Sequence, residues 1–351
     1  MRTVSVWRVF VFRERILRRP TIIDVARLAG VSKATAARVM SGQAELVRDQ
    51  TRERVLKAVA DLGYERNAIA GSLRTDRTYM IALCIPDITN PFWPEVARGI
   101  QDTLEAGGYA TVTVNSDWDA EREKNYLQLV RRNRFDGLII NPMNTDTALF
   151  THLSIPVVIL GNGAAFPEFD SVGSDTENAV QEALEYLYTL GHRRVALIAG
   201  RSQRRRGVAR MESYRIFHQR HALTVDESLI IESDFSDRAG FDAMERLLAL
   251  PKSPTAVFAA NDVLAIGALK AAQAVGRHIP RDLSIVGMDD IYAAAMTSPA
   301  LTTIAKPKYE IGMEAATLLL GRLNGDASRP PQHIKLHAQF VQRASAGLLI
   351  N

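Results

Sequence analysis

The sequence predicts an N-terminal all-α helix-turn-helix head joined to an α/β body of two doubly wound parallel-sheet subdomains. Three observations predict it. Residues 21–62 hold three short helical patterns with a glycine between the first two. From Tyr79 onward, short apolar runs alternate with helical patterns. The 351 residues are also too many for one comfortable hydrophobic core.

Residues 1–19 carry Arg2, Arg8, Arg13, Arg15, Arg18 and Arg19 against Glu14 alone. Arg8 and Arg13 break the apolar stretch, and no small-x-small cleavage site follows. The segment therefore reads as an extension outside the fold rather than an export signal. The head, residues 20–66, opens with TIIDVARLAG. Thr21 can cap a helix whose Val25, Ala26 and Ala29 share one side, and Gly30 ends it in a tight turn. Ser32 caps a second helix over residues 32–40. Val31, Ala36, Val39 and Met40 form its apolar side; Lys33, Ala34, Ala37 and Arg38 form the other. A third helix, residues 51–62, has Val55, Leu56, Val59 and Leu62 as its stripe, Asp49 as a candidate cap and Gly63 as its stop.

The cationic face of the second helix, made of small residues around Lys33 and Arg38, suits close approach to a large, flat anion. In a major groove Lys33, Ala34 and Arg38 would meet base edges, and Ser32 at the helix N-terminus would meet a phosphate. A plain three-helix subdomain is the alternative that these residues alone leave open. Residues 67–78 read as a hinge. Asn67 can cap one helical turn, residues 68–74, which has too little apolar surface to fold unaided; Gly71 weakens it further.

The body spans residues 79–345. Strands are expected at Met80–Ile85, Ala110–Asn115, 137–141, Val157–Leu160, 195–199, 229–233, 256–260 and 284–287, with helical patterns such as 179–190 and 239–250 between them. Short apolar strands alternating with helices indicate parallel sheets, and eight strands divide more readily into two sheets than one.

Charge is unevenly placed. Residues 1–78 hold 16 Lys+Arg against 8 Asp+Glu, and the remainder 27 against 31, so a basic head sits on a mildly acidic body. That asymmetry suggests a nucleic-acid contact at one end. The one cysteine, Cys84, excludes an intramolecular disulfide, fits a reducing cytoplasm and lies in an apolar run as a core residue. No apolar run approaches a membrane span. His218 and His221 read as a surface pair rather than a metal site, and His333 and His337 fall in a strand without partners. GNGAAF (161–166) has two of the three glycines of a dinucleotide fingerprint, with Pro167 where a helix should open. No Walker motif is present. The expectation is therefore no enzyme, no cofactor and no metal.

Six runs carry a family likeness, in this order: TIIDVARLAGVSKATAARVMSG, TRERVLKAVADLGYERNAIAGSLRT, IALCIPDITNPFWPEVARGI, LGHRRVALIAG, AVFAANDVLAIGALKAAQAVGRHIPRDLSIVGMDD and LTTIAKP. From Thr21 to about Ser345 the chain resembles bacterial transcription regulators of the lactose/galactose-repressor family. The resemblance implies a cytoplasmic repressor that binds a palindromic double-stranded DNA operator as a homodimer. Ser32, Lys33, Ala34, Thr35 and Arg38 would contact DNA from the recognition helix. Asn67, Leu73 and Arg74 would do so from the hinge, with Leu73 inserted in the minor groove.

The resemblance further implies a body like a periplasmic sugar-binding protein, with crossings near Ser174, Ala305 and Leu336. That body would close on a small effector: a carbohydrate or sugar acid, with a purine as the other possibility. Asn90, Phe92 and Trp93 would line its cleft. Arg204 and Arg210 match effector-contacting arginines, Phe235 a stacking aromatic, and Asn261 and Asp289 hydrogen-bonding positions.

Some positions depart from the family pattern. Gly71 stands in the hinge, Ala37 and Arg48 stand where serines are common, and Gly161 replaces a frequent aspartate. Ala305 and Lys306 stand where arginine and glutamine are frequent. The cleft thus loses an acid and gains a lysine. With Arg204, Arg205 and Arg206 nearby, an anionic effector is one reading and a solvated arginine run the other. A solute-binding transport protein is the alternative function, but it would need a cleavable signal and no DNA-binding head.

Overall fold

The computed structural model of the chain describes residues 20–40, 45, 47–65, 77–143, 146–161, 163–200, 206–325 and 329–349. Arg204 and the hinge residues Asn67, Leu73 and Arg74 lie outside them, as does the segment 1–19. The chain divides into two compact units, residues 1–78 and 79–351.

Among its described residues the first unit has three helices: α1 (Ile22–Ala29), α2 (Lys33–Met40) and α3 (Asp49–Leu62). Thr21 opens α1 with a capping box. Its hydroxyl accepts the Asp24 N–H, and the Asp24 carboxylate accepts the Thr21 N–H at 2.9 Å. Gly30 closes α1 at φ +63°, and the Arg54 guanidinium on α3 donates to the Ala29 carbonyl at 2.8 Å. Ser32 Oγ accepts the Thr35 N–H at 3.0 Å at the start of α2.

Four of the buried core residues are alanines: Ala26, Ala29, Ala36 and Ala58, packed with Val25, Val39 and Val55. Small side chains let three short helices approach closely, but they bury little apolar area. Each cap, worth about 1 kcal/mol, therefore matters. Two expectations are corrected. Leu56 is 49% exposed, and Ala58 takes its place in the stripe. The cap position of α3 is Arg48, which makes no side-chain cap bond. Asp49 lies within the first turn, where its charge suits the helix dipole.

The second unit contains two parallel sheets. The first has the order β11-β5-β4-β3-β1-β2, from β1 (Met80–Ile85), β2 (Ala110–Asn115), β3 (Gly137–Ile140), β4 (Val157–Leu160), β5 (Asp170–Asp175) and β11 (His333–His337). Along β1 the side chains alternate. Ile81, Leu83 and Ile85 enter the core under α4 (Phe92–Ala106) and α12 (Lys308–Leu323). Ala82 and Cys84 enter the core under α5 (Ala120–Arg132) and α6 (Ala148–Thr151). Helices on both faces explain why such strands read as continuous apolar runs. Burial pushes the Cys84 thiol up to about 12, with the Glu123 charge adding, so it is an inert core residue.

The second sheet has the order β7-β6-β8-β9, from β6 (Val195–Gly200), β7 (Ile230–Ser233), β8 (Ala256–Ala259) and β9 (Ser284–Val286). It packs with α7 (Thr176–Thr189), α8 (Arg206–Arg220), α9 (Asp237–Leu248) and α10 (Asp262–Ala274). The short helix α11 (Tyr292–Met296) follows β9. β10 (Thr303–Ala305) pairs antiparallel with β12 (Gln339–Val341) beside this sheet. The chain passes between the sheets three times: after β5, after β10, and between β11 and β12.

Helices α4 and α12 cross on glycines. A Cβ built on Gly312 would lie 2.1 Å from the Val96 carbonyl oxygen, and one on Gly99 would lie 2.1 Å from the Tyr309 carbonyl oxygen. Alanine is worth up to about 1 kcal/mol over glycine in a free helix. Here the obstacle is backbone, which cannot rotate away, so overpacking at about 2–3 kcal/mol wins. Gly312→Ala should lower the denaturant midpoint of the body, and an unchanged or raised midpoint would refute this close approach.

Candidate functional site

Two regions concentrate unusual chemistry. The first is the outer face of α2. Ala36 and Val39 are buried in the head core, while Ser32, Lys33, Ala34 and Arg38 are exposed and Thr35 is half-buried. The same packing that anchors one side of this two-turn helix thus presents the predicted DNA-contacting residues together. Ser32 Oγ is already engaged by the Thr35 N–H and shares a hydrogen bond with Thr35 Oγ1 at 2.8 Å. Its hydroxyl is a cap first.

The second region is a cavity of ≈ 600 Å³ at the C-terminal ends of both sheets. Such ends are where open α/β sheets place ligands, because loops from different strands converge there. Asn90, Phe92 and Trp93 reach it after β1, Phe235 after β7, Asn261 after β8, Asp289 after β9 and Arg210 from α8. The structure therefore brings together every predicted effector residue among those described. Their contributions differ. Trp93 is largely core, packed edge-on against Phe92 with ring centroids 4.9 Å apart.

Phe235 packs closely against Gly200, where a Cβ would come within 1.9 Å of its ring. The ring stacks on Trp118, centroids 4.8 Å apart and planes 23° apart. Trp118 follows β2, and both Asp117 and Trp118 have positive φ, at +50° and +61°. An aromatic pair thus joins the two lobes across the cleft. Trp118 escapes the sequence reading. Its one signal is position: an aromatic residue just beyond the C-terminal end of a parallel strand.

Asp289 is presented by a strained turn, with φ +113° at Asp289 and +52° at Asp290. Three bonds hold the turn. The Asp289 N–H donates to the Ile304 carbonyl at 2.8 Å, and Lys308 Nζ donates to the Asp289 and Asp290 carbonyls at 3.0 and 2.8 Å. Lys306 Nζ lies 2.7 Å from Asp289 Oδ1, with side chains 9% and 7% exposed. Nζ also sits 5.2 Å from the centre of the Phe92 ring. Burial lowers the Lys306 pKa against the pull of Asp289, and the Arg210 charge adds to the lowering. Burial likewise lowers that of Arg210, whose Nε–H donates to Met288 Sδ at 3.4 Å. Asn261 Oδ1 caps α10 by accepting the Leu264 N–H at 2.8 Å, while its buried Nδ2 has no partner among the described residues.

Beneath this floor lies Asp262, fully buried. It accepts from the Thr303 hydroxyl at 2.5 Å and the Ile291 N–H at 2.9 Å. Burial, reinforced by the Asp289 charge, raises its pKa from 3.8 to about 8. A raised folded pKa means that stability is fully present below the unfolded value and lost as pH rises through the folded value. Between about pH 4 and 8 the Asp262 contribution should therefore fall with rising pH, at a slope approaching 1.4 kcal/mol per pH unit, roughly one proton's worth, while His192 and His218, whose pKa values burial lowers, act in the opposite sense. Denaturation midpoints measured across that window should therefore fall more steeply, or rise less, in the wild type than in Asp262→Asn. An equal slope in both proteins would refute the titration of Asp262.

The histidines also correct the sequence reading. His218 is buried and bonds the Tyr214 carbonyl through Nδ1 at 2.8 Å, and His221 Nε2 lies 2.8 Å from both Glu185 oxygens. The two are not a surface pair. His333 does have a partner, Ser171 Oγ at 2.9 Å. Among the described residues no cluster of three candidate metal ligands occurs, and no helix is long and apolar enough to cross a membrane.

Both units have counterparts among known proteins. Residues 21–67 match the family described as bacterial regulatory proteins, lacI family, and residues 184–346 match a periplasmic binding protein-like domain. The HTH-type transcriptional repressor CytR of Escherichia coli (strain K12) is 36% identical over 309 residues, covering 87% of this chain and 90% of that protein. A Lac repressor dimer bound to operator and the anti-inducer ONPF superposes with a TM-score of 0.83 at 27% identity, over 94% and 100% of the two chains. A transcriptional regulator CelR–cellobiose complex gives 0.69 at 31% identity, over 93% and 100%.

Proposed function

Since the chain belongs to the lacI family of bacterial regulatory proteins, and is thus a DNA-binding transcription regulator rather than an enzyme, we propose that it acts as a cytoplasmic, homodimeric repressor. In this reading it binds a palindromic operator and is controlled by a small effector in the cleft. The observation that carries the effector reading is Asn261 Nδ2, a buried donor without a partner on the wall of a ≈ 600 Å³ cavity. A buried unsatisfied amide costs about 1–3 kcal/mol, which a bound acceptor would recover.

Support for the homodimer comes from α11. Tyr292 and Met296, one helical turn apart, are 79% and 67% exposed, an apolar pair that a second copy could cover. A two-fold dimer presents two copies of α2, and an operator with two inverted half-sites matches that symmetry. Arg38 and Lys33 are assigned to reading and anchoring each half-site. Asn67, Leu73 and Arg74 are assigned to the segment between them.

Selection of the full-length chain against random duplex DNA should return an inverted repeat, and sedimentation of the complex should give two chains per duplex. A single unrepeated half-site bound by one chain would sink the dimeric reading.

A further inference from the structure

The polar groups on the cleft floor are unequal in kind. Arg210 has five N–H donors, of which one is directed at a thioether; among the described residues its other interaction is with the charge of Asp289, without a second hydrogen bond. Asn261 Nδ2 is buried and unpartnered. Lys306 spends one of its three N–H donors on Asp289 Oδ1. Against these donors stands one acceptor, the second carboxylate oxygen of Asp289, so the unmet capacity on this floor is mostly donor capacity. A neutral sugar hydroxyl both donates and accepts, so it would use such a floor only in part. An oxyanion accepts only.

Charge points the same way. Asp262 beneath the floor is held largely protonated by burial, so Asp289 is the one charged acid that Arg210 and Lys306 face, which leaves the floor at net +1. Asp175, Glu177, Glu212 and Lys335 also line the cavity. Glu177, Glu212 and Lys335 are exposed, and Asp175 is half-exposed and bonded to Asn178 Nδ2 at 3.0 Å. Those rim charges are screened by water, whereas the floor charges act at low dielectric, so the floor dominates selection by charge. The rim carboxylates can still accept from ligand hydroxyls.

We infer that the cleft takes a hydroxylated small molecule with one compact oxyanion, a carboxylate or phosphate, seated among Arg210, Asn261 and Lys306. In this arrangement Lys306 is the residue that selects for charge. With a neutral side chain at that position, Asp289 would cancel Arg210 and the floor would be neutral. Lys306 keeps one positive charge uncompensated, and the ligand supplies its counterion. This inference rests on the effector reading above and narrows it to a chemical class.

The test uses the full-length chain and matched probes at equal ionic strength: D-glucose, D-glucuronate and D-glucose 6-phosphate; D-galactose and D-galacturonate; D-ribose and D-ribose 5-phosphate. Melting temperature screens them, and calorimetry measures those that bind. The anionic member of at least one set should bind at least about tenfold more tightly than its neutral partner, the scale of one charge-assisted contact. The carboxylate and phosphate arms decide which oxyanion is preferred.

Two substitutions should act in opposite directions. Lys306→Gln should weaken the anion about tenfold, and Asp289→Asn, which takes the floor from +1 to +2, should tighten it. Damage to the fold could not produce both signs. A neutral sugar binding as tightly as its acid, or an anion preference unchanged in Lys306→Gln, would overturn the inference and leave the effector reading standing. Silence from every probe would count against both.

Discussion

Replacing Asp170 with alanine should lower the stability of the body by about 3–5 kcal/mol, the usual cost of stranding buried charge. Asp170 begins β5, and its side chain is 1% exposed. Arg322 grips it at both oxygens, with Nε at 2.8 Å and a terminal nitrogen at 3.0 Å. Arg329 donates to it at 3.2 Å and the Gln332 N–H at 2.7 Å. Burial alone would raise its pKa, but these donors together hold the carboxyl below its ordinary value. Its contribution is therefore present above the usual carboxylate range and lost as pH falls through the depressed folded value.

Without the carboxylate, two guanidiniums that are 13% and 17% exposed lose their shared counter-ion. The consequence is also topological. The Gln332 bond precedes β11, which returns from the end of α12 to pair with β5. Thermal unfolding should fall by roughly 6–20 °C, at roughly 2–4 °C per kcal/mol for a domain of this size. Asp170→Asn, which keeps an acceptor, should cost less. A loss under 1 kcal/mol for the alanine variant would mean that the arginines find other partners.

β5 is also where the sequence reading fails most clearly. DSVGSD has one apolar residue and the composition of a loop. It is a strand because Arg322, Arg329 and Gln332 satisfy its acid from about 160 positions away, and no local pattern carries that information. The runs MIALCI and AVFA were legible because burial on both faces leaves them apolar throughout. The first two head helices were legible because Thr21, Gly30 and Ser32 act within four residues of the ends they define. Leu56 shows the limit of that logic. An apolar residue at nearly the right spacing was counted as core, while the smaller Ala58 fits between the helices.

The cleft follows the same division. Asn90, Phe92, Phe235, Asn261 and Asp289 were expected in the cleft from the family resemblance, and each sits just beyond a strand that could be read. Trp118 and the Lys306–Asp289 pair needed coordinates. A lysine seen in sequence is a charge without a partner. The structure puts an acid 2.7 Å from it and changes what it offers a ligand from one full charge to one share of a net +1 floor.

Arg38→Ala should produce the largest loss of operator affinity among substitutions on α2. Each half-site should lose about 1–3 kcal/mol, the scale of one bidentate contact to guanine. The proposed homodimer would make the contact twice, at positions too far apart to couple, so the losses should add to roughly 2–6 kcal/mol. That corresponds to about 30-fold to 10⁴-fold in affinity. Folding should be little affected, because Arg38 is exposed while Ala36 and Val39 bear the packing of α2.

Lys33 separates reading from anchoring. The sequence alone put Lys33 at base edges, but a flexible point charge exposed at the start of α2 suits a phosphate better, so it should contribute to the phosphate term. Lys33→Ala should weaken all sequences alike and reduce the slope of log affinity against log salt by about 1 per half-site. Arg38→Ala should instead relax preference at one base pair in each half-site, with a smaller change in non-specific binding at the same salt. Both variants keep a strongly basic head, since residues 1–78 hold 16 Lys+Arg against 8 Asp+Glu. Non-specific binding should therefore survive in each and serve as the internal reference. Selection from random duplexes decides the matter. A motif that stays sharp at every position in Arg38→Ala would show that Arg38 reads no base, and that specificity resides in other residues or in the shape of the duplex.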